Sequence, residues 1–476
     1  MSLIDEILTI DAAASLLRAR KISASELVRD CLARIERYDD AIHAFITLAP
    51  EQALAAAAQA DREIGQGGYR GALHGIPYAA KDVIDVQGLP TTAGSRAFGS
   101  SRAAASAGVV ERLASAGAIV LGKTNTHELT YGGVDSSAPY PPARNPWNTA
   151  RDPGGSSSGS AAAVAAGFCL AALGTDTGGS VRLPAGLCGI AGLKPTFGRV
   201  SRRGVMVNSY SLDHCGPLAW SVADCALLLQ AIAGHDPRDP ASIDVPVDDF
   251  PTAIGQDIRG LRIGLVRHFY EQDLPASEHA RAAMHAAITR LHDLGAEIEE
   301  VRLRPLQEYA THKATLQLPE IFAEYGDNVR QHPELFGAKF RDRIDRGDRV
   351  SAVDYVRAQA QRRHMIREMH EAMTRLDALV TCGAYGPAPV LDDVATQPMR
   401  NQPEITVPFS MTGFPALSAC IGFAPDGLPL AMQIVGRPFD EAMVLRIGDA
   451  YERATCWRAR RPSLELSTSS ALEANA

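Results

Sequence analysis

Short apolar runs alternate with amphipathic stretches along most of the chain. The apolar runs have strand length and occur at 76–80, 118–122, 261–266, 378–382, 416–423 and 430–436. Between them, residues 221–233 and 277–294 place apolar side chains at helical spacing. Strands that are apolar along their whole length are typical of sheets buried on both faces. The alternation therefore favours an α/β fold in which helices cover a central sheet.

The first residues have a helical pattern. Ser23 and Glu26 are spaced as in a capping box, in which each side chain satisfies a free backbone N–H of the other. An alanine-rich helix is expected near 51–64. Two similar stretches, ERLASAGAIV (111–120) and TRLHDLGAEI (289–298), each predict a helix that ends at a glycine and is followed by a strand.

The pattern divides the chain into five segments. They are N-terminal helices at 1–70 that pack on the core or on a dimer partner, a core at 71–300, a mainly helical insertion or cap at 301–376, a C-terminal completion of the same core at 377–462, and a polar tail at 463–476. No low-complexity linker separates these segments, so we expect one continuous core.

Composition narrows the class of protein. The chain has 476 residues, of which 46% are hydrophobic and 21% charged, an ordinary balance for a large globular protein. Its net charge of −8 argues against a nucleic-acid partner, which would need a basic face. The sequence has neither a signal-peptide pattern nor an apolar run of membrane-spanning length. Its eight cysteines and 13 histidines show no metal spacing. We therefore expect a cytoplasmic protein with reduced thiols, no membrane association and no metal.

Two familiar motifs match the sequence but not its context. GAIVLGKT (117–124) fits the P-loop expression through Lys123, yet its middle residues are apolar and strand-like, so nucleotide binding is only a remote alternative. GSSSG (155–159) fits the nucleophile elbow through Ser157, but the preceding residues 148–154 cannot form a buried strand. A Ser/Gly linker is also disfavoured, because the segment continues directly into AAAVAAGFCLAALG.

Three other segments together carry a more specific pattern. They are GIPYAAKD (75–82), PGGSSSGS (153–160) and GTDTGGSVR (174–182). In these segments and their spacing the chain closely resembles the amidase signature family. The resemblance continues through GLKPTFGRV to QIVGRPFDE (433–441) and so covers nearly the whole chain. It implies an α/β fold with a mixed, largely parallel twisted β-sheet core covered by helices on both faces.

The resemblance implies a Ser–cis-Ser–Lys triad that needs no cofactor. The nucleophile falls on Ser180, the bridging serine on Ser156 after a cis peptide bond from Gly155, and the lysine on Lys81. Lysine can act as the base only when neutral, and burial behind the apolar run at 76–80 would lower its pKa. The neighbouring Asp82 could instead hold Lys81 charged as an ion pair.

Further site residues follow from the same resemblance. The N–H groups of Thr177, Gly178, Gly179 and Ser180 are expected to form an oxyanion hole. Thr130 falls where a backbone carbonyl contacts the substrate, with Tyr131 and His127 nearby. Ser157, Asp176 and Arg182 are expected to support the site from behind.

The implied activity is hydrolysis of a non-peptide carboxamide C–N bond through an acyl-enzyme on Ser180. The partner would be a small-molecule amide, with esters, anilides or carbamates as further substrates, and a homodimer is left open. The alternative is the A subunit of a glutamyl-tRNA(Gln) amidotransferase complex, which releases ammonia from glutamine. The segment at 126–147 departs from the form expected of that subunit, so the sequence favours a stand-alone amidase. A non-catalytic binding protein is disfavoured because all three triad residues are present.

Overall fold

The computed structural model describes residues 9–99, 101–131, 133–135, 137–391 and 404–464. The N-terminal part contains α1 (Ile10–Arg18), α2 (Ala24–Ile42), β1 (Phe45–Leu48) and α3 (Pro50–Gly65). The predicted capping box is confirmed, since Ser23 Oγ accepts from the Glu26 N–H and the Ser23 N–H donates to the Glu26 carboxylate. Residues 465–476 of the predicted tail lie outside the described residues, as do the first eight residues.

The next part of the chain alternates strands with helices. Its elements are β2 (Pro77–Lys81), α4 (Gly108–Ser115), β3 (Ile119–Thr124), α5 (Ser158–Ala165), β4 (Ala171–Asp176), α6 (Arg182–Leu187), β5 (Ala191–Lys194), β6 (His214–Ala219) and α7 (Val222–Ile232). The helix-then-strand pattern predicted around 111–120 is confirmed by α4 and β3. Gly117 has φ +84°, a left-handed conformation that glycine adopts easily after a helix.

The second half of the chain continues the alternation and adds a helical stretch. Its elements are β7 (Arg262–Leu265), α8 (Glu278–Asp293), β8 (Glu297–Glu300), α9 (Leu306–Gln331), α10 (Ala338–Asp348), α11 (Ala352–Ala372), β9 (Ala378–Cys382), α12 (Val407–Thr412), β10 (Ala416–Phe423), β11 (Pro429–Val435) and α13 (Glu441–Arg453). The predicted strands at 378–382, 416–423 and 430–436 coincide with β9, β10 and β11 to within a residue. Gly295 has φ +91° between α8 and β8, as its similarity to Gly117 predicted.

All eleven strands belong to one mixed sheet. Their order is β1-β3-β2-β4-β6-β5-β10-β11-β9-β7-β8. β2 runs parallel to β3 and β4, and β7 runs parallel to β8 and β9, whereas the strands between these groups pair antiparallel. The fold class predicted from the sequence, α/β with a mixed sheet, is confirmed.

Helices cover both faces of the middle of the sheet. Every residue of β2, β4, β5, β6, β9 and β11 is buried, and successive side chains of a strand point to opposite faces. Helix α5 is buried along its whole length, which explains why the Gly/Ser segment before it is not a tether. No helix in the described ranges is long and apolar enough to cross a membrane.

Candidate active site

The candidate site lies where β2 and β4 end. These strands are adjacent and parallel, so their last residues, Lys81 and Asp176, come to the same edge of the sheet. The turn from β4 to α6 carries Ser180, and the Gly/Ser turn before α5 carries Ser156. The topology thus gathers the three segments that the sequence singled out.

Lys81 is fully buried among hydroxyl groups. Its Nζ lies 2.7 Å from Ser156 Oγ, 3.1 Å from Ser157 Oγ and 2.8 Å from Thr175 Oγ1. Burial lowers the pKa of Lys81 to about 7, although the more distant carboxylates of Asp176 and Asp213 act in the opposite direction. A substantial fraction of Lys81 is therefore neutral near neutral pH.

Asp82 faces away from Lys81 and pairs with Lys123. The Lys123 Nζ lies 3.0 Å from Asp82 Oδ1, and both side chains are fully buried. Lys123 also donates to the Pro90 carbonyl and to Thr91 Oγ1. The P-loop alternative is thereby excluded, because the matching residues continue as β3 and their lysine is held in a buried ion pair.

Ser156 connects Lys81 to Ser180. The Ser156 N–H donates to Ser180 Oγ at 3.1 Å, while the Ser156 hydroxyl faces Lys81. Ser180 is half-buried and lines a cavity. Ser157 is fully buried, and its Oγ donates to the Thr175 carbonyl on β4 rather than facing that cavity. The geometry therefore distinguishes Ser180 from the serine that the elbow motif selected.

The expectation of a cis peptide bond before Ser156 is wrong for this structure. The Gly155–Ser156 bond is trans, as is every other peptide bond among the described residues. A non-proline cis bond costs about 3–4 kcal/mol. Here Gly154 and Gly155 turn the chain instead, with φ of +84° and +58°.

The turn from Thr177 to Ser180 forms one wall of the cavity. Gly179 has φ +140°, and a Cβ there would overlap the Thr406 side chain. Thr406 also donates its hydroxyl to the Gly178 carbonyl. Within the described residues, the N–H groups of Gly178, Gly179 and Ser180 donate to no other group of the chain. They are thus available to a ligand, as an oxyanion hole requires.

Asp176 and Arg182 hold this turn from behind. The Arg182 guanidinium binds both Asp176 carboxylate oxygens, at 2.9 and 3.0 Å, and both side chains are fully buried. Burial alone would raise the pKa of Asp176, but the Arg182 charge and hydrogen bonds hold it well below its ordinary value. Neither side chain lines the cavity.

Thr130 lies in a strained turn on the opposite wall. Leu129 and Thr130 have φ of +47° and +60°, unusual for residues with a Cβ. Asn208 Nδ2 donates to the Thr130 carbonyl at 3.1 Å and to the Leu129 carbonyl at 3.4 Å. Tyr131 and His127 also line the cavity.

Sequence reasoning missed Asn208 and Asp213. Asp213 accepts hydrogen bonds from Thr177 Oγ1 at 2.6 Å and from the Asn208 N–H at 2.8 Å. The two residues thus link the turn before Ser180 to the turn that holds Thr130. Both are single polar residues around a loop, with no motif that could have identified them.

The cavity itself has a volume of about 1140 Å³ and is open to solvent. Besides the site loops, its walls come from α9, from α10, and from residues 384–389 and 404–407. This volume exceeds what a small primary amide fills, which leaves room for additional substrate groups. The predicted contribution of 383–405 to the pocket can be judged only in part, because 392–403 lie outside the described residues.

Comparison with known proteins places this site in a family. The family model named Amidase matches residues 26–445. The A-type subunit of the glutamyl-tRNA(Gln) amidotransferase from Chloroflexus aurantiacus is 43% identical, over 96% of this chain and 98% of that protein. An amidase from Pseudomonas putida is 41% identical, with the same coverage. The crystal structure of the peptide amidase from Stenotrophomonas maltophilia superposes with a TM-score of 0.84 at 32% identity, over 97% of this chain and 99% of that one. The chain therefore belongs to the amidase family and is a hydrolase of amide C–N bonds.

Proposed function

We propose that Ser180 is the nucleophile of an acyl-enzyme mechanism in which Lys81 acts as base through Ser156. The observation that carries this proposal is the sequence of contacts from Lys81 Nζ to Ser156 Oγ, at 2.7 Å, and from the Ser156 N–H to Ser180 Oγ, at 3.1 Å. A lysine with its pKa lowered to about 7 can accept a proton near neutral pH. The serine hydroxyl needs such a base to become nucleophilic.

The proposed reaction proceeds in two halves. Neutral Lys81 takes the Ser180 proton by way of the Ser156 hydroxyl, and Ser180 Oγ bonds to the amide carbonyl carbon. The negative charge that forms on the carbonyl oxygen is stabilised by the N–H groups of Thr177, Gly178, Gly179 and Ser180. The C–N bond then breaks as the proton returns from Lys81 through Ser156 to the leaving nitrogen. Water hydrolyses the resulting ester by the reverse proton path, and no cofactor enters either half.

The test of this assignment is the Ser180→Ala variant. We expect amide hydrolysis to fall by at least about 1000-fold, because the covalent path is lost while binding is retained. Ser158→Ala is the matched control, since Ser158 lies in the same Gly/Ser segment without contacting Lys81. Unchanged melting temperatures would show that both variants fold. Full activity in Ser180→Ala would refute the assignment.

For the physiological role, we propose first the A subunit of a glutamyl-tRNA(Gln) amidotransferase. The Chloroflexus relative supports this role at 43% identity over nearly both full lengths. This weighs against the preference for a stand-alone enzyme that the 126–147 segment suggested. The protein would release ammonia from the side-chain amide of glutamine for use within a larger complex.

A free-standing amidase is the second candidate. The Pseudomonas amidase at 41% identity supports it, as does a cavity large enough for substrates beyond glutamine. The two roles are separated by measuring ammonia release by the purified chain from glutamine and from simple amides. Turnover of simple amides by the chain alone would favour the free-standing enzyme. Glutamine hydrolysis that requires the other amidotransferase components and glutamyl-tRNA(Gln) would favour the role within a complex.

A further inference from the structure

A lysine that the mechanism does not use lies against the turn before Ser180. Lys313 is on the face of α9 that also presents Gln307, Ala310, Ala314 and Gln317 to the cavity. Residues three and four apart share one face of a helix, so this face is continuous. A Cβ added to Gly178 would lie 2.6 Å from Lys313 Nζ. The ammonium group therefore sits directly beside the turn expected to hold the substrate carbonyl.

Lys313 has no partner among the described residues. No hydrogen bond or ion pair involves its Nζ, although the side chain is half-buried. Other cations of the cavity are engaged: Lys339 donates to the Val134 carbonyl, and the Arg343 guanidinium lies 4.8 Å from the centre of the Tyr131 ring. The Glu404 carboxylate also lies near Gly178 but makes no ion pair with Lys313.

An unpaired cation in a partly desolvated cavity favours a ligand of opposite charge. A hydrogen bond between an ammonium and a carboxylate is stronger than one between neutral groups. The remaining volume of the cavity leaves space for such a group beside a bound amide. Since Lys313 borders Gly178, the anion would lie within a few bonds of the scissile carbonyl.

We propose that Lys313 binds a carboxylate of the substrate and thereby selects carboxamides that also carry an anionic group. This inference rests on the proposed function of Ser180, because it takes the amide carbonyl to lie beside Gly178. It assigns the substrate class without fixing which acid carries the amide. Lys313 is a specificity-determining residue in this account, and the proton path does not pass through it.

The kinetic test compares two primary amides of equal length. Glutaramate carries a carboxylate at the far end, and pentanamide carries none. In Lys313→Met we expect kcat/KM for glutaramate to fall roughly 10- to 100-fold, mainly through KM, and that for pentanamide to change less than about 2-fold. Lys313→Arg should recover part of the loss.

Lys339→Met is the matched control, because it removes an equal charge from the same cavity. We expect it to change kcat/KM for glutaramate by less than about 3-fold, since Lys339 is already bound to the Val134 carbonyl. Equal losses on both amides in Lys313→Met would indicate an oxyanion or structural role and overturn the assignment. An equal loss in Lys339→Met would indicate a general effect of cavity charge and also overturn it.

A binding measurement separates this proposal from the proposed function. In the Ser180→Ala background, calorimetry with glutaramate should show roughly 10- to 100-fold weaker binding when Lys313 is also changed to Met. Wild-type protein that hydrolyses neither amide would count against Ser180 as nucleophile, whereas the binding comparison would still decide the role of Lys313. Unchanged or absent glutaramate binding in both proteins would overturn the Lys313 proposal alone.

Discussion

Lys81 shows how burial and neighbouring groups decide the chemistry of a single residue. A lysine next to an aspartate in sequence would ordinarily remain charged, yet the strand geometry points Asp82 toward Lys123. Successive residues at a strand end face opposite sides of the sheet. Lys81 is left with three hydroxyls, which accept or donate hydrogen bonds without holding it charged. Burial then dominates, and it favours the neutral form that a base requires.

The first prediction follows from the pKa of Lys81. Its folded-state pKa is lowered from 10.5 to about 7, so the neutral fraction grows as pH rises through about 7. We expect kcat/KM for an uncharged amide to rise tenfold per pH unit on the acid side and to level off above about pH 8. Steady-state rates from about pH 5 to about pH 9 would test this, with stability checked at each pH. A flat profile would rule out a lysine base.

At this scale the sequence predicted the residue types but not all of their contacts. Ser180, Ser156 and Lys81 come from segments whose pattern is specific, and the structure brings them together. Asn208 and Lys313 belong to no such pattern, because a loop amide or a lysine on one helix face is common anywhere. Which side of the strand Lys81 faced also depended on the pairing of β2 with its neighbours.

At the scale of elements, Arg182 joins the parts that surround the nucleophile. It lies at the start of α6 and binds Asp176 at the end of β4. Its remaining N–H groups donate to the Thr406 carbonyl and to Ser410 on α12, and to Gln433 on β11. A buried guanidinium is stable only when nearly all of its donors are satisfied, as they are here. The turn that carries Ser180 is thus fixed between four elements.

The second prediction concerns this buried pair. Arg182→Met leaves the Asp176 carboxylate buried without its counter-charge, so we expect the free energy of unfolding to fall by about 3–5 kcal/mol. Arg182→Met combined with Asp176→Asn should recover part of that loss, because the uncompensated charge is removed. Urea unfolding followed by circular dichroism measures all three proteins.

Arg304→Met provides the comparison for an exposed pair. Arg304 binds Glu368 with both side chains partly exposed, at 27% and 35%. Exposed ion pairs contribute about 0–1 kcal/mol, so this variant should unfold close to the wild type. If Arg182→Met were as mild as Arg304→Met, Arg182 would not be the structural centre of the turn.

The elements were more predictable than their arrangement. The apolar runs at 378–382 and 416–423 predicted β9 and β10 because a strand buried on both faces has no polar alternation. The sheet order could not be predicted in this way. β5 pairs with β10 across more than 200 residues of intervening chain, and nothing in either strand's sequence specifies the other.

At the scale of the whole molecule, the sheet draws on nearly the full chain. β1 begins at residue 45 and β11 ends at residue 435. β7 and β8 attach to the sheet only through β9, although they precede it by about a hundred residues of chain. The five segments expected from the sequence therefore share one sheet, and whether they unfold separately is a question for experiment.

The last prediction uses the cysteines as reporters of that question. All eight are free thiols; Cys456 is exposed, and the other seven are buried. Burial raises the pKa of the buried thiols, to about 12 for Cys215 and Cys382, so they stay protonated and out of contact with reagent. With Ellman's reagent at pH 8 we expect one thiol to react rapidly in the native protein and eight to react in denaturant. Cys456→Ser should abolish the rapid phase.

The order in which the buried thiols appear then reports cooperativity. Cys31, Cys188 and Cys225 lie in the first half of the chain, and Cys382 and Cys420 lie on β9 and β10. Because β5 and β10 join the two halves in one sheet, we expect all seven to become reactive over a single urea transition. Cys382 and Cys420 are also the test of the boundary near residue 377. If these two became reactive at a lower urea concentration than the others, the C-terminal strands would form a separate unfolding unit despite the shared sheet.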